Sequence, residues 1–455
     1  MVIKEFKLNV NPIEIFNNFI DDDMCIFLDS QKDEKKLGRY SIIGSNPFMK
    51  IKSKNGKVEI FKDNEWREEK GSSFEILEKY LRKFKIENKT NLPFIGGALG
   101  YFSYDLFHEI ENISLDQVDD IKIPDMYFGI YNECILIDNL EKKIYIIVQE
   151  FLDNFEERLK KLEKKAFKIK KVLNEIKKDI KVEFKINMTK EKYIKSIEKI
   201  KENIRMGNVY QINFTQRFQC NLNKSPYTLF NRLRKTNKAP FGAYLDYKDF
   251  VIVSSSPERF IRINGNKIDT RPIKGTIGRG KNIEEDKQNK NILINSKKDQ
   301  SELLMIVDLE RNDLGKISET GSVKVKDLFY IEEYATVFQQ IANVEGILKK
   351  NIGLREILNS TFPGGSITGA PKISAMKLIG NLEKTTRNIY TGSIGYLSFC
   401  GNMDSSIVIR TVLCKDNQGY YQVGGGIVWD SNSESEYEES LIKGKALKEA
   451  LEWED

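Results

Sequence analysis

Along the first 185 residues or so, short runs of alternating apolar and polar residues are separated by turn signals, a pattern that predicts antiparallel strands. Residues 49–61 contain Asn55-Gly56, a pair typical of two-residue hairpin turns, and residues 143–151 predict another strand. From about 153 to 180 the apolar positions fall at helical spacing among mixed Lys and Glu, which predicts one long helix with a solvated face. A second helix follows, with four apolar positions at the same spacing: Ile194, Ile197, Ile200 and Ile204.

The second half of the chain predicts further strands, several of them marked by glycine. Asn264-Gly265 predicts a hairpin whose outgoing strand carries Lys274 to a glycine-rich exit. Long antiparallel strands with helices outside them, and no βαβ alternation, predict an α+β fold. We place a domain boundary near residue 188, between residues 1–187 and 188–455. The remaining predicted elements are strands over 393–399, 405–413 and 420–429 and helices over 295–314 and 435–452.

The composition is that of a soluble protein, with 40% hydrophobic and 31% charged residues. No apolar run approaches the roughly 18 residues that a membrane span needs, and the N-terminus has no signal-peptide pattern, so we predict a cytoplasmic protein. The five cysteines are scattered, as is usual in a reducing compartment. The net charge of +6 comes from lysines mixed with glutamates along the chain, which does not predict a nucleic-acid partner.

The chain contains a single histidine, His108. Ser-His-Asp hydrolysis, Cys-His glutaminase chemistry and histidine-based zinc sites each need at least one well-placed histidine. No nucleophile signal lies near His108, for which we predict a structural role. These reaction classes are therefore not expected.

Two pairs of carboxylates are the first candidates for chemistry. Asp299 and Glu302 are spaced i,i+3 on one predicted helix, and Glu436 and Glu439 have the same spacing on another, with Lys443 one turn later. Two helices that present carboxylates to one point make the oxygen-rich site that Mg²⁺ prefers. The same spacing is also typical of a solvated helix surface.

Two glycine-rich segments and one arginine are further candidates. The segment at 362–372 can cradle an anion with its backbone N–H groups but lacks the ending of a nucleotide P-loop. The segment at 423–430 allows a ligand to approach the backbone closely. Arg410 alternates with apolar neighbours and is costly to bury unless it meets a carboxylate. Each of these features also has a purely structural interpretation.

Taken together, the segments resemble the chorismate-utilising enzymes: anthranilate synthase component I, aminodeoxychorismate synthase component I, isochorismate synthase and salicylate synthase. The resemblance implies an anthranilate-synthase-like fold, in which large antiparallel β-sheets pack face to face with helices outside. It covers most of residues 188–447 and reaches into the N-terminal half. The segments that carry it, in order, are FLDS (27–30), GRYSIIGSNP (38–47), GALGYFSYDLF (97–107), GNVYQINFTQRF (207–218), SSSPERF (254–260), TRPIKGT (270–276), ELLMIVDLERNDLG (302–315), FPGGSITGAPK (362–372), IYTGSIGYLSF (389–399), GNMDSSIVIRTV (401–412) and GGGIVWDSNSESEYEESLIKGKA (424–446).

The resemblance implies a role for each candidate residue. Glu302 and Glu439 correspond to Mg²⁺ ligands, and Asp299 and Glu436 correspond to outer carboxylates that hold bound water. Glu258 corresponds to the general acid that protonates the departing C4 hydroxyl of chorismate, a task that needs a raised carboxyl pKa. The substrate-binding positions implied by the resemblance are Gln211, Thr276, Ser366, Tyr390, Arg410, Gly424, Gly425, Gly426 and Lys443.

Three positions bear on which branch of the family the chain resembles. The water-adding branches use a lysine where this chain has Gln211, and a neutral amide cannot act as a base. Lys274 lies in PIKGT, as in aminodeoxychorismate synthases, where anthranilate synthases read PIAGT. Anthranilate synthases also carry a histidine where this chain has Gln339, although some aminodeoxychorismate synthases keep that histidine. The resemblance thus implies conversion of chorismate and ammonia to 4-amino-4-deoxychorismate through a covalent Lys274 intermediate, with anthranilate synthesis as the alternative.

The resemblance also implies a partner and a second site. Because the chain cannot assemble a Cys-His glutaminase, ammonia is expected from a glutamine amidotransferase subunit. The resemblance leaves two interpretations of equal weight for one group of positions. They form a tryptophan site, as in some relatives, or they simply pack the sheet interface. A third hypothesis, an inactive binding subunit, is disfavoured because Glu258, Glu302 and Glu439 are all present. The positions that match the tryptophan site are Ser30, Leu37, Gly38, Arg39, Tyr40, Pro240, Phe241 and Gly242.

Overall fold

The strands of the protein are antiparallel and vary from two-residue bridges to eleven residues. A computed structural model describes residues 1–31, 37–168, 178–179, 182–333 and 337–454. The described strands are β1 (Val2–Lys7), β2 (Ile26–Asp29), β3 (Tyr40–Gly44), β4 (Met49–Lys54), β5 (Lys57–Lys62), β6 (Glu65–Glu69), β7 (Gly97–Phe102), β8 (Met126–Tyr131), β9 (Glu133–Asp138), β10 (Lys143–Val148), β11 (Lys178–Asp179), β12 (Lys185–Ile186), β13 (Gln211–Asn221), β14 (Phe241–Asp246), β15 (Phe250–Ser256), β16 (Arg259–Asn264), β17 (Lys267–Arg271), β18 (Ile273–Gly278), β19 (Lys324–Glu333), β20 (Val337–Ile347), β21 (Gly369–Ala370), β22 (Ser393–Ser398), β23 (Met403–Ile407), β24 (Thr411–Lys415), β25 (Gln418–Ile427) and β26 (Trp453–Glu454).

The helices begin where the sequence supplies capping side chains. Ser72, Ser296 and Asn432, for example, each accept a backbone N–H of the first turn that follows. Short 3₁₀ turns lie at Tyr104–Glu109 and Gly365–Ile367. The described α-helices are α1 (Pro12–Phe16), α2 (Ser73–Lys83), α3 (Phe155–Ala166), α4 (Lys190–Arg205), α5 (Pro226–Thr236), α6 (Ile283–Ile294), α7 (Lys297–Ile317), α8 (Leu354–Thr361), α9 (Lys372–Leu382) and α10 (Ser433–Leu451).

Two twelve-stranded sheets form the body of the protein. The first runs β1-β10-β9-β3-β2-β14-β15-β24-β25-β13-β12, with β21 beside β13. The second runs β18-β20-β17-β16-β23-β22-β7-β8-β4-β5-β6, with β19 beside β20. Both sheets contain strands from each side of residue 188, so the boundary placed there separates segments that share their sheets. The assignment of separate domains stays a prediction.

The sheets pack face to face, as predicted, and helices cover their outer faces. On β14, Ala243 and Leu245 point into a core shared with Leu99 and Ile394 of the other sheet, whereas Tyr244 points outward. The outer core of the first sheet contains buried residues of α1, α5 and α10, and that of the second contains buried residues of α2, α7 and α8. Alternate residues of one strand therefore pack into two different cores, because successive side chains point to opposite faces.

Most of the predicted elements are confirmed. Asn55-Gly56 joins β4 to β5, and the turn that begins at Asn264-Gly265 joins β16 to β17. The helices predicted over 295–314 and 435–452 are α7 and α10, and the strands at 393–399 and 420–429 are β22 and β25. The helix predicted from its isoleucine spacing is α4, whose Ile197 and Ile200 are buried.

Two predicted elements are wrong. The strand predicted over 405–413 is two strands, because the chain leaves β23 in one sheet and enters β24 in the other, with Arg410 at a φ of 51° between them. The helix predicted over about 153–180 ends at Ala166, where the chain turns and Phe167 packs on the ring of Phe6. Residues 178–179 form β11, and the rest of that predicted helix, at 169–177 and 180, lies outside the described residues.

No helix in the described ranges is long and apolar enough to cross a membrane. His108 lies near the end of the 3₁₀ turn at Tyr104–Glu109, with its Nδ1 atom 3.1 Å from the carbonyl oxygen of Ile113. Its ring lies 4.0 Å from that of Phe107, centroid to centroid. These contacts fit the structural role predicted for the histidine.

Candidate active site

Two of the candidate residues lie where the chain crosses from one sheet to the other. Glu258 falls between β15 and β16, and Arg410 falls between β23 and β24. The two crossings are tied together, since Ile407 N–H donates to the Glu258 carbonyl at 3.0 Å and Ser255 N–H donates to the Arg410 carbonyl at 3.1 Å. A sheet crossing leaves the regular ladder, which frees both residues to point away from it.

The turn at Gly365–Ile367 joins Glu258 to Lys274. The Ser366 hydroxyl donates to Glu258 Oε1 at 2.8 Å, and Lys274 Nζ donates to the Ser366 carbonyl oxygen at 3.4 Å. Glu258 is buried, and burial raises its pKa against the lowering effects of the Ser366 hydroxyl and the Lys274 ammonium. A raised pKa favours the protonated carboxyl group, which is the form that a general acid needs.

Lys274 is a partly buried lysine in β18. Burial lowers its pKa and outweighs the opposite effect of Glu302 and Glu258, and Lys443 lowers it further. In the register of the sheet it lies opposite Gln340 of β20. A lowered pKa favours the neutral amine, which is the form in which a lysine is a nucleophile.

The glycine-rich strand β25 lets its neighbours approach Lys274. A Cβ atom placed on Gly426 would lie 2.5 Å from Gln211 Nε2 and 3.7 Å from Lys274 Nζ, so these two side chains meet over the glycine. Gln211 is fully buried, and neither its amide nitrogen nor its amide oxygen has a hydrogen-bond partner among the described residues. Leaving such an amide unpaired costs about 1–3 kcal/mol, which a polar ligand can recover.

The four candidate carboxylates lie on α7 and α10 with lysines between them. Lys443 Nζ is 2.8 Å from Glu439 Oε1, and Lys298 Nζ is 3.6 Å from Glu436 Oε1. Burial raises the pKa of Glu302. Burial alone would also raise the pKa of Glu439, but Lys443 and the other nearby lysines lower it overall.

The donor chemistry of this group fits a hard divalent cation, although the side chains are not gathered for one. The negative charges of all four carboxylates raise the pKa of Lys298: Glu436, Glu302, Glu439 and Asp299. Among the described residues, no three acidic, histidine or cysteine side chains converge closely enough to hold a metal ion. Two of the four carboxylates, Glu436 and Glu439, instead pair with ammonium groups, which shows that the site attracts positive charge.

Two further substrate-binding candidates are Tyr390 and Thr276. Tyr390 is buried, and burial raises its pKa. Thr276 is exposed, beyond an irregularity of the ladder at Gly275, and lies opposite Gln339 in register. The structure places Gly275 against Asp299, since a Cβ there would lie 2.9 Å from the Asp299 carboxyl carbon.

The positions that match a tryptophan site meet in one cavity of about 370 Å³. The Ser30 hydroxyl donates to the Pro240 carbonyl oxygen at 2.9 Å across its wall. Gly38 is not part of the lining, and its carbonyl oxygen accepts a hydrogen bond from Asn139 at 3.4 Å. Of the eight predicted positions, those that line the cavity are Ser30, Leu37, Arg39, Tyr40, Pro240, Phe241 and Gly242.

Sequence reasoning missed three buried charged residues beside the site. Glu310 accepts a hydrogen bond from Gly365 N–H at 3.3 Å, and burial raises its pKa to about 8. Arg387 and Glu383 form a fully buried ion pair behind Ser366 and Tyr390. Glu310 lies in the quoted segment 302–315, but nothing in the local sequence distinguishes it from the exposed Asp308 two residues earlier.

The chain is similar to known proteins over most of its length. The family model described as chorismate binding enzyme matches residues 23–449. The chain is 38% identical to anthranilate synthase component 1 of Acetivibrio thermocellus over 97% of the chain and 92% of the relative. It is 37% identical to aminodeoxychorismate synthase component 1 of Bacillus subtilis (strain 168) over 91% of the chain and 90% of the relative.

Solved structures give the same result. The crystal structure of anthranilate synthase component I from Streptococcus pneumoniae TIGR4 aligns with a TM-score of 0.81 at 29% identity, over 97% of this chain and 99% of that one. The fold is therefore that of anthranilate synthase component I, with two large antiparallel sheets and outer helices, as predicted. The chain belongs to the family of chorismate binding enzymes. Its relatives carry two different names, so the family does not by itself decide the product.

Proposed function

We propose that this protein converts chorismate and ammonia to 4-amino-4-deoxychorismate, the precursor of 4-aminobenzoate in folate biosynthesis. The observation that supports this most is the turn at Ser366, which contacts the nucleophile candidate Lys274 through its carbonyl oxygen and the acid candidate Glu258 through its hydroxyl. An amine and a carboxyl group held by one residue can act on the same small ring. Anthranilate synthesis does not need an amine at this position.

In the proposed reaction, the neutral amine of Lys274 forms a bond to C2 of chorismate while the C4 hydroxyl leaves. Glu258 supplies the proton with which that hydroxyl departs as water. Ammonia then forms a bond to C4 and gives one proton back to Glu258. The bond between C2 and the lysine breaks, which returns the free amine. The balance is chorismate plus ammonia giving aminodeoxychorismate plus water.

We propose that Glu302 and Glu439 hold a Mg²⁺ ion, with Asp299 and Glu436 holding its bound water. When bound, the ion neutralises the ring carboxylate of the substrate, as hard cations do at carboxylates. Arg410, Ser366, Tyr390 and the Gly424–Gly426 strand bind the enolpyruvyl side chain and its neighbouring oxygens, and Lys443 provides a further carboxylate contact. Gln211 and Thr276 complete the substrate-binding positions. The buried, unpaired amide of Gln211 supports its place among them.

The partner of this reaction is a glutamine amidotransferase subunit that supplies the ammonia. The names of the relatives, each a "component 1", support a two-component system. The single histidine, packed on Phe107, leaves this chain without the Cys-His arrangement of a glutaminase. Free ammonium is expected to substitute for the partner in vitro.

The alternative product is anthranilate, which the similarity to anthranilate synthases keeps open. The test is incubation of the purified protein with chorismate, Mg²⁺ and ammonium, with products resolved by mass spectrometry. Wild type and Lys274→Ala are compared with Lys267→Ala, which removes an exposed lysine of the neighbouring strand β17. We expect 4-aminobenzoate only after a lyase is added, loss of that product in Lys274→Ala, and no effect in Lys267→Ala. Anthranilate with pyruvate from the wild type would reject the proposal in favour of tryptophan biosynthesis.

We also propose that the cavity at Ser30 and Pro240 binds tryptophan. Its volume of about 370 Å³ and its gathering of seven of the eight matching positions support this. Arg259 lines the same cavity and directly follows Glu258 in the chain, so the cavity and the active site share one backbone segment. Titration calorimetry with L-tryptophan should show binding to the wild type and weaker binding to Tyr40→Ala, whereas no heat with the wild type would reject the site.

A further inference from the structure

Arg387 is a fully buried arginine whose five N–H groups are all used. Its side chain is 0% exposed and that of its partner Glu383 is 1% exposed. Its Nε and Nη2 atoms donate to the two carboxylate oxygens of Glu383 at 2.8 and 2.7 Å. Nη2 also donates to the Asn213 carbonyl oxygen at 2.7 Å, and Nη1 donates to the Ile367 carbonyl oxygen at 3.0 Å and to Thr391 Oγ1 at 3.2 Å.

Each acceptor outside the ion pair lies next to a substrate-binding position on a different segment. Ile367 follows Ser366 in the turn that contacts Glu258 and Lys274. Thr391 follows Tyr390. Asn213 lies two residues after Gln211 on β13, so the two side chains share a face of the strand. One guanidinium thus connects three segments, of which the one at Asn213 is 174 residues from Arg387.

The guanidinium is itself held in one orientation. Thr215 N–H and the Thr215 hydroxyl donate to Glu383 Oε1 at 2.9 and 2.7 Å, which fixes the carboxylate to β13. On another side, the Arg387 Cζ atom lies 4.8 Å from the centre of the Tyr104 ring. A planar group with a bidentate partner and a ring contact has little freedom to rotate.

Stability alone does not account for this arrangement. Replacing a buried ion pair with neutral groups of similar size is often neutral or stabilising, because two charges had to leave water. The backbone carbonyls that Arg387 contacts belong instead to segments that must meet at one substrate. That is the pattern expected of a group that sets distances between binding residues.

We propose that Arg387 is a positioning residue that fixes the relative placement of Ser366, Tyr390 and Gln211 around chorismate. Through Ser366 it also sets the placement of Glu258 and Lys274. The proposal rests on the proposed function in that it assumes turnover of chorismate, but it does not depend on which product is formed. Because misplacement by about 1 Å can cost on the order of 10²-fold in rate, its loss should lower kcat far more than it raises KM.

The test separates positioning from the burial of charge. Arg387→Met and Glu383→Gln each leave one buried charge unpaired and should be strongly destabilised. The double variant Arg387→Met/Glu383→Gln is neutral, and its amide oxygen can still accept from Thr215. We expect its denaturation midpoint to lie above those of both single variants, but below wild type because the Asn213 and Ile367 carbonyls lose their donor. We expect kcat for chorismate consumption to stay at least about 30-fold below wild type, with KM changed less than about 3-fold.

Two comparisons complete the experiment. Arg217→Met/Asp120→Asn neutralises another arginine pair, in which the buried Arg217 belongs to β13 but lies six residues beyond Gln211, and should leave kcat unchanged. Added guanidinium chloride at millimolar concentration should restore part of the kcat of Arg387→Ala. Recovery of kcat together with stability in the double variant would overturn the proposal, as would a rise in KM alone. A wild type that consumes no chorismate would reject the proposed function instead, and binding of chorismate to the two double variants would then be compared.

Discussion

Replacing Gly425 by alanine places one methyl group among the carboxylates proposed to hold the metal. A Cβ atom built there lies 3.3 Å from Glu436 Oε2, 3.4 Å from Lys443 Nζ and 4.0 Å from Glu439 Oε1. Gly425 lies outside the left-handed region of backbone conformation, so alanine fits the strand without backbone strain. The substitution therefore tests the proposed site with little change to the fold.

The contacts at 3.3 and 3.4 Å require the polar groups to move by a few tenths of an ångström. We expect a stability cost of about 1 kcal/mol, at the low end of overpacking effects. Mg²⁺ demands a near-octahedral set of oxygens at about 2.0–2.1 Å, so displacements of that size matter for it. Disturbing groups around a metal site typically costs about 10–100-fold in affinity, and the Mg²⁺ concentration for half-maximal activity should rise by that factor.

The assay is the initial rate of chorismate consumption as a function of Mg²⁺ concentration. The matched control is Gly444→Ala on α10, whose Cβ would meet the Tyr421 ring at 3.2 Å and Val423 at 3.3 Å. Its packing is equally tight, but its neighbours are apolar. A Gly425→Ala curve that overlies the wild type, or an equal shift in Gly444→Ala, would refute the assignment of the metal to these carboxylates.

Two further predictions concern stability. Glu310 has a folded-state pKa of about 8 against an ordinary value of 4.5, so the folded protein keeps a proton that the unfolded chain releases. The free energy of unfolding of the wild type, measured in urea, should therefore fall as pH rises from about 4.5 to 8. Glu310→Gln lacks this titration, so its stability relative to the wild type should increase across that interval. Parallel pH dependences of the two proteins would contradict this. Gln340 is fully buried, and its amide has no hydrogen-bond partner among the described residues. Gln340→Leu should raise the urea midpoint by removing a penalty of about 1–3 kcal/mol, and a lower midpoint would show that the amide is paired in solution.

Elements could be predicted from the sequence where neighbouring residues alone determine them. The hairpin at Asn55-Gly56 and the helix that begins after Ser296 each follow from neighbouring residues, and both are present. Sequence reasoning failed for α6, Ile283–Ile294, because Leu293 is the one buried residue of that polar helix. It also failed at Val408–Arg410, because the alternation of apolar residues continues across the crossing and does not show that the chain changes sheets.

The candidate site shows the same limit. Helical spacing singled out Glu302, Glu436 and Glu439, and the family resemblance added the roles of Glu258 and Lys274. The structure places Ser366 between Glu258 and Lys274. The contacts of Arg387 could not be predicted, since its partner Asn213 is 174 residues away. Glu310 was missed for a similar reason, because its burial depends on a loop 55 residues further along the chain. Local patterns report which face of an element is apolar but not which distant backbone carbonyl a buried cation will meet.

The interleaving of the two sheets has a consequence for biosynthesis. Strand β7 at Gly97–Phe102 pairs with β22 at Ser393–Ser398, and β2 at Ile26–Asp29 pairs with β14 at Gly242–Leu245. At about 5–20 residues per second, a ribosome needs roughly 15–60 s to make the chain between β7 and its partner. During that time β7 has a free edge open to wrong pairing. We therefore expect the nascent chain to engage chaperones until β22 has been made, so that supply of the enzyme is set by folding as well as by translation.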